Sequence, residues 1–303
     1  MSLGGAKMNR KIRKKWVTLG FVEKSETRSM ILFPHAKINI GLYVTNKRSD
    51  GYHDIITLFY PIGLSDILEV LPDSSVPHGS VDIQLTGIGV VGEPATNLVA
   101  KAYRLISRKH DIPSVRVFLH KQIPTGAGLG GGSSDGACML RALNELFNLQ
   151  IKDSAMQLMA LELGSDCPFF LNPIPSIARG RGEILEPSAV SLSGYHFYLF
   201  QPAGGISTAK AYQNVLVEPD PDNFGERCRR PVEMWKGELW NGFEPYAITQ
   251  IPAIGLIVEE LYKKGAIYCS LTGSGSAVYG LFRGEAGISA EIDPYFIWKE
   301  ILP

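Results

Sequence analysis

Five glycines in seven positions make Pro124-Thr-Gly-Ala-Gly-Leu-Gly-Gly-Gly-Ser-Ser-Asp135 the strongest chemical signal in the chain. Such a run is costly in chain entropy, so a backbone requirement must offset it. Phosphate binding is one: glycines let an anion approach successive N–H groups, and a following helix N-terminus adds its positive end. A Walker A loop needs Gly-Lys-Ser/Thr, and no lysine follows these glycines. Gly126, Gly128 and Gly131 match a dinucleotide fingerprint formally, but that fingerprint belongs to a βαβ unit whose next strand ends in an acid about 20 residues on. A protein-kinase glycine loop fails for lack of a Val-Ala-Ile-Lys strand. A triphosphate loop of another type remains.

Two charged residues sit where charge is out of place. Asp166 lies in Gly164-Ser-Asp-Cys-Pro-Phe-Phe170, an apolar setting that would desolvate it unless a cation stands beside it. By itself, an aspartate just before a proline is more commonly a turn or cap residue. Lys37 is a cation in a strand of alternating apolar residues, a pattern also produced by a snorkelling surface lysine.

The elements that must position these groups follow from periodicity. Ile38, Ile40, Leu42 and Val44 are expected on one strand face, with Lys37, Asn39, Gly41 and Tyr43 on the other. Ile55–Ile62, Ile67–Leu71 and Val115–Ile123 read as further strands, and residues 97–109 as a helix striped by Leu98, Val99, Ala102, Leu105 and Ile106. The glycine run opens a helix over about Ser134–Phe147, and Asp153 is expected to cap another that ends at Gly164. Pro173, Pro175 and Arg179–Gly182 mark a domain boundary. Beyond it come a strand at Tyr195–Gln201, a polar loop over 218–231, a helix from Pro252 to Gly265, and strands at Ile267–Leu271 and Ala277–Phe282. Strands and helices mix without regular βα alternation, which indicates an α+β fold in two layers.

Composition narrows the class. In 303 residues, 45% are hydrophobic and 20% charged, which excludes a disordered or fibrous chain. No stretch reads as a membrane span. Lys plus Arg total 30 and Asp plus Glu total 30, a balance that argues against a dedicated nucleic-acid binder. Cys138, Cys167, Cys228 and Cys269 are scattered without CxxC pairs, so a reducing, cytoplasmic setting is expected. Residues 1–29 are basic and lack an apolar core segment; they are expected to be a non-native or disordered extension, with the fold starting at Met30.

Taken together, Phe33-Pro-His-Ala-Lys-Ile-Asn-Ile40, the glycine run and Leu271-Thr-Gly-Ser-Gly-Ser-Ala277 resemble, in order, the three motifs of the GHMP kinases. Ala36-Lys-Ile-Asn39, Arg48-Ser-Asp-Gly-Tyr-His-Asp54 and Gly-Ser-Asp-Cys-Pro-Phe-Phe narrow the resemblance to a branch that uses ATP to phosphorylate the 2-hydroxyl of 4-diphosphocytidyl-2-C-methyl-D-erythritol, in the non-mevalonate route to isoprenoids. The resemblance implies a two-domain α+β GHMP kinase fold, with residues 30–178 like ribosomal protein S5 domain 2, including a left-handed βαβ crossover, and 179–303 ferredoxin-like. It implies Asp166 as catalytic base with Lys37 beside it. Pro124, Thr125, Gly126, Ala127, Gly128, Leu129, Gly130, Gly131, Gly132, Ser133 and Ser134 would hold the nucleotide, with Asn97 and Lys121 toward the adenosine. Asn39, Tyr52, His53, Thr208 and Tyr212 would hold the cytidyl substrate, the cytosine stacking between Tyr52 and Tyr212 while His53 reads its edge. ATP and Mg²⁺ are the implied cofactors, with the metal ligands unassigned. A small cytidyl diphosphate is the implied partner, with neither nucleic acid nor membrane. Ser165 and Cys167 stand where Ala and Val are usual, and Gly242 where Asp is usual, which leaves the Lys37–Asp166 pair intact. A homoserine- or mevalonate-type kinase and a non-catalytic RNA-binding protein stay open as alternatives.

Overall fold

The computed structural model describes residues 20–24, 27–88, 96–219, 221 and 223–303. The apolar alternation of the first half forms β1 (Gly20–Lys24), β2 (Thr27–Leu32), β3 (His35–Lys47), β4 (His53–Ser65), β5 (Ile67–Pro72) and β6 (Val81–Gly87). Then come α1 (Leu98–Ser107), β7 (Val115–Lys121), α2 (Gly131–Leu146), α3 (Asp153–Leu163), α4 (Cys167–Leu171) and the hairpin β8 (Ser176–Arg179) and β9 (Ile184–Pro187). One sheet has the order β1-β2-β5-β7-β6, in which β6 and β7 run parallel across the α1 crossover. The stripe Val99, Ala102, Tyr103 and Ile106 of α1 and Met139, Leu140 and Leu143 of α2 bury against Leu68, Val70, Val117 and Leu119 of this sheet. Full burial of each such large aliphatic side chain contributes about 1.5–3 kcal/mol.

A second sheet, ordered β3-β4-β8-β9, carries Lys37 and Asn39. Here the simple alternation expected for β3 fails. Ile40 pairs with Leu58 but Leu42 with Thr57, so Gly41 is an extra residue, with a φ of 60° that glycine tolerates. The bulge reverses the faces beyond it: Ile38 and Ile40 enter one core with Tyr43, whereas Leu42 and Val44 enter another. Both faces of β3 are buried.

The second half adds β10 (His196–Phe200), α5 (Thr208–Asn214), α6 (Phe224–Arg229), α7 (Glu244–Gln250), α8 (Ala253–Lys263), β11 (Tyr268–Leu271), β12 (Val278–Phe282) and β13 (Phe296–Ile301). Its sheet order is β11-β12-β10-β13, all antiparallel, and α8 packs on β11 and β12. This is a ferredoxin-like half with a 3-10 turn at Asp293–Tyr295 between β12 and β13. A core shared by Ile38, Ile40 and Leu58 with Phe197, Leu199, Tyr279 and Leu281 joins the halves.

Four further expectations change. The boundary expected at 178/179 falls inside the β8–β9 hairpin, which pairs with β4. The polar loop expected over 218–231 contains α6, because Phe224 and Cys228, one turn apart, bury on one face and the Phe224 ring meets Tyr43 edge-on at 5.8 Å. Asp153 is the first residue of α3, not its cap, which is Lys152; an acid there still suits the helix dipole. Of the expected N-terminal extension, 20–24 and 27–29 lie in β1 and β2, while 1–19 and 25–26 lie outside the described residues.

All four cysteines are buried and free. Among the described residues, no helix is long and apolar enough to cross a membrane.

Candidate active site

The three motifs meet at the glycine loop. From β3, the Lys37 N–H donates to the Leu129 carbonyl (3.0 Å) and the Lys37 ammonium to the Gly128 carbonyl (3.0 Å). From the β11–β12 turn, Thr272 Oγ1 also donates to the Gly128 carbonyl (3.2 Å). The contact is close: Gly128 has φ of 80°, and a Cβ there would sit 2.0 Å from the Thr272 carbonyl oxygen. Glycine is required at that point by both space and dihedral. The loop ends at Gly130, which precedes α2 without any side-chain capping bond. The N–H groups of the first turn of α2 are therefore open to an anion.

Lys37 is 3% exposed, and its ammonium is surrounded by the Asn39 Oδ1 acceptor at 2.7 Å, the Gly128 carbonyl and Asp166 Oδ2 at 3.5 Å. The Phe59 ring centroid lies 4.9 Å away. Burial pulls this ammonium below the ordinary lysine value, and the Asp166 carboxylate opposes the pull. Asp166 immediately precedes α4, yet its side chain makes no capping bond. The carboxylate is 31% exposed and faces the cleft. Sequence context alone favoured the cap; the structure leaves this carboxylate uncapped, paired with Lys37 and facing the cleft.

The cleft has a volume of about 200 Å³. Besides the pair it is lined by the glycine loop, Thr208, Tyr212, Arg181 and the Gly273–Gly275 turn. Thr208 Oγ1 lies 3.3 Å from Ser274 Oγ. The rings expected around the cytosine contact other protein groups in this structure. His53 stacks on Tyr212 at 4.9 Å with 27° between planes, and Phe243 meets Tyr212 edge-on. Tyr52, 54% exposed, lies under the Arg181 guanidinium at 4.7 Å. Burial, with the Asp166 charge as a smaller cause, pushes the Tyr212 hydroxyl up to about 12.

Three expected ligand residues are occupied within the protein. Asn39 lines the cleft, but its Oδ1 accepts from Lys37 and the Gly273 N–H (2.9 Å), its backbone N–H donates to Thr272 Oγ1 (3.1 Å), and its Nδ2 donates to Thr57 Oγ1 (3.0 Å). Asn97 Oδ1 caps α1 by accepting from the Val99 N–H at 2.9 Å. Lys121 is buried in an ion cluster with Asp66 and, at 2.5 Å, Asp135. Asp66 Oδ1 also accepts from the N–H groups of Gln122 and Ile123. Burial and the second carboxylate push the Asp135 carboxyl up to about 8. Two acids sharing one ammonium in a dry site favour one of them keeping its proton.

Sequence reasoning missed Arg181, Phe59, Asp66 and Asn241. The last donates to the Leu271 and Gly273 carbonyls (both 2.9 Å) and so holds the third motif. The Gly-flanked position of Arg181 was a visible signal; the pairing of Asp66 with Lys121 was not.

Residues 97–172 match the family described as GHMP kinases N terminal domain, and 216–291 that described as GHMP kinases C terminal. The chain is 46% identical over 265 residues to a 4-diphosphocytidyl-2-C-methyl-D-erythritol kinase of Bacteroides fragilis, covering 86% of this chain and 94% of the relative. The corresponding figures for that kinase of Parabacteroides distasonis are 42% over 272 residues, 89% and 98%. A crystal structure of 4-(cytidine 5'-diphospho)-2C-methyl-D-erythritol kinase superposes with a TM-score of 0.69 at 34% identity, covering 83% of this chain and 90% of that one. A homoserine kinase from Cytophaga hutchinsonii shares the fold alone, with a TM-score of 0.63 at 15% identity, covering 88% and 89%. On these matches the chain belongs to the GHMP kinases, in the branch of the 4-diphosphocytidyl-2-C-methyl-D-erythritol kinases.

Proposed function

We propose that the chain transfers the γ-phosphoryl group of ATP to the 2-hydroxyl of 4-diphosphocytidyl-2-C-methyl-D-erythritol. The observation that carries this reading is the Lys37–Asp166 pair, 3.5 Å apart and opening on one cleft with the glycine loop. Phosphoryl transfer asks a protein mainly for positioning and charge stabilisation. Asp166 would accept the proton of the attacking hydroxyl, a role worth about 10²–10⁴-fold. Lys37 pairs with that carboxylate and would offset charge growing on the transferred group. The N–H groups at the start of α2 and of the glycine loop would hold the phosphates.

Among the described residues no group of three or more His, Cys, Asp or Glu is arranged to hold a metal ion. Mg²⁺ accompanying ATP would offset charge on the phosphates, and such sites commonly add only one or two carboxylates from the protein. Tyr212, which lines the cleft with Thr208 and is stacked on His53, would offer the cytosine an aromatic neighbour, with His53 beside it. A coupled ATPase assay with the cytidyl acceptor, mevalonate and homoserine side by side tests the reading. Turnover confined to the cytidyl acceptor is expected; turnover of another alcohol in its place overturns it.

A further inference from the structure

Besides Lys37, the cleft is lined by a second cation that the phosphoryl-transfer machinery does not use, Arg181 in the β8–β9 turn. The backbone around it is anchored on both sides. The Gly180 carbonyl accepts from the Ile55 N–H of β4 at 2.7 Å, and the Arg181 N–H donates to Glu183 Oε2 at 2.6 Å. The next residue, Gly182, lies against the base: a Cβ on it would be 3.4 Å from Asp166 Oδ1. At its other end, the Arg181 side chain covers the exposed Tyr52 ring at 4.7 Å. Its guanidinium makes a loose ion pair with Glu183, Nε standing 3.8 Å from Oε1, which is longer than a hydrogen bond. Arg181 therefore lies on a fixed turn between the reacting acid and the aromatic wall.

We propose that Arg181 holds the diphosphate that links the cytidine to the polyol of the acceptor. The assignment rests on the proposed function, which puts the hydroxyl at Asp166 and the nucleobase at the His53 and Tyr212 rings, with Tyr52 the residue just before His53. A diphosphate joining the two must cross the stretch of cleft between them, beside the Asp166 carboxylate and with Asp50 near Tyr52. A dianion placed there needs a cation, and a planar guanidinium can bind two of its oxygens at once. Lys37 is already committed to Asn39, Gly128 and Asp166.

The test is inhibition by cytidine and by CDP, each competed against the acceptor at saturating ATP, in wild type, Arg181→Met and Arg181→Lys. Wild type should favour CDP over cytidine. Arg181→Met should weaken CDP and raise the acceptor KM by about tenfold to a hundredfold. The cytidine constant and the ATP KM should stay within about twofold. Arg181→Lys should keep part of the CDP preference, and it carries the comparison if the Met variant melts poorly. An unchanged CDP-to-cytidine ratio overturns the assignment. Equal losses for cytidine and CDP also overturn it, because they would show Arg181 acting through the Tyr52 ring. If wild type neither turns over the cytidyl acceptor nor is inhibited by cytidine, the proposed function fails and takes this assignment with it; that result is read before any variant is compared.

Discussion

Asp166 gains its character from what its side chain does not do. It stands at the start of α4, where an aspartate would ordinarily accept a backbone N–H, and it makes no such bond. Its partner is the buried Lys37 ammonium, and its remaining surface faces the cleft. Asp166→Asn is nearly the same size and removes the carboxylate proposed to accept the hydroxyl proton. Steady-state kinetics should show kcat lower by at least about a hundredfold, with the ATP KM little changed and the melting temperature close to wild type. Near-normal turnover in a well-folded variant would make Asp166 structural. Asn39 shows the opposite case. The resemblance implied a substrate ligand, but its side chain joins the first and third motifs, accepting from Lys37 and from the Gly273 N–H.

At the scale of elements, the glycine loop works as a clamp besides its proposed part in holding phosphate. Its Gly128 carbonyl receives bonds from both Lys37 and Thr272, so the loop ties β3 to the β11–β12 turn. Gly128→Ala would impose a left-handed alanine, costing about 1–2 kcal/mol, and drive a methyl into the Thr272 carbonyl. Gly126→Ala carries the dihedral cost alone, since no atom lies within 4 Å of its Cβ position. Gly128→Ala should therefore lose clearly more activity and melting temperature than Gly126→Ala. Equal effects would show that the loop does not need the Thr272 contact. The bulge at Gly41 acts similarly within β3, reversing the strand's faces just past Asn39.

At the scale of the molecule, the Lys121–Asp66–Asp135 cluster ties the β4–β5 turn, the end of β7 and the first turns of α2 behind the loop. The Asp135 carboxyl, raised to about 8 from an ordinary 3.8, binds a proton in the folded chain that it releases in the unfolded one between those values. Its contribution to stability thus falls as pH rises from about 4 to about 8. Asp135→Asn should flatten the dependence of melting temperature on pH across that window, and an unchanged slope would show that Asp135 is ionised in the folded state. The sheet edge gives a second expectation. All rungs from β2 to β5 start at Met30, paired to Val70, with Ile31 and Leu32 following. Deleting residues 1–29 removes β1 and none of those rungs, so activity and melting temperature should be nearly unchanged. A large drop in melting temperature would mean that the β1–β2 hairpin supports the body.

What the sequence alone determined is local chemistry. A glycine run between a strand and a helix, an acid among Cys167, Pro168, Phe169 and Phe170, and a lysine in an apolar strand are each legible, because propensity and periodicity act over a few residues. The strands around Lys37 and the helices flanking the loop follow from the same signals. What only the tertiary structure decided is which polar groups are left free. Asn39 meets Thr272, 233 positions away, and Lys121 meets Asp66, 55 positions away. No pattern within either segment encodes those partners, yet they turn expected ligands into internal ties. Arg181 enters the cleft because β8 pairs with β4, and the Gly41 bulge shifts the strand faces because one extra residue must be absorbed against Thr57. Burial then sets the outcome: a polar group out of water must find a partner wherever the fold brings one, and only those not already paired remain for the substrate.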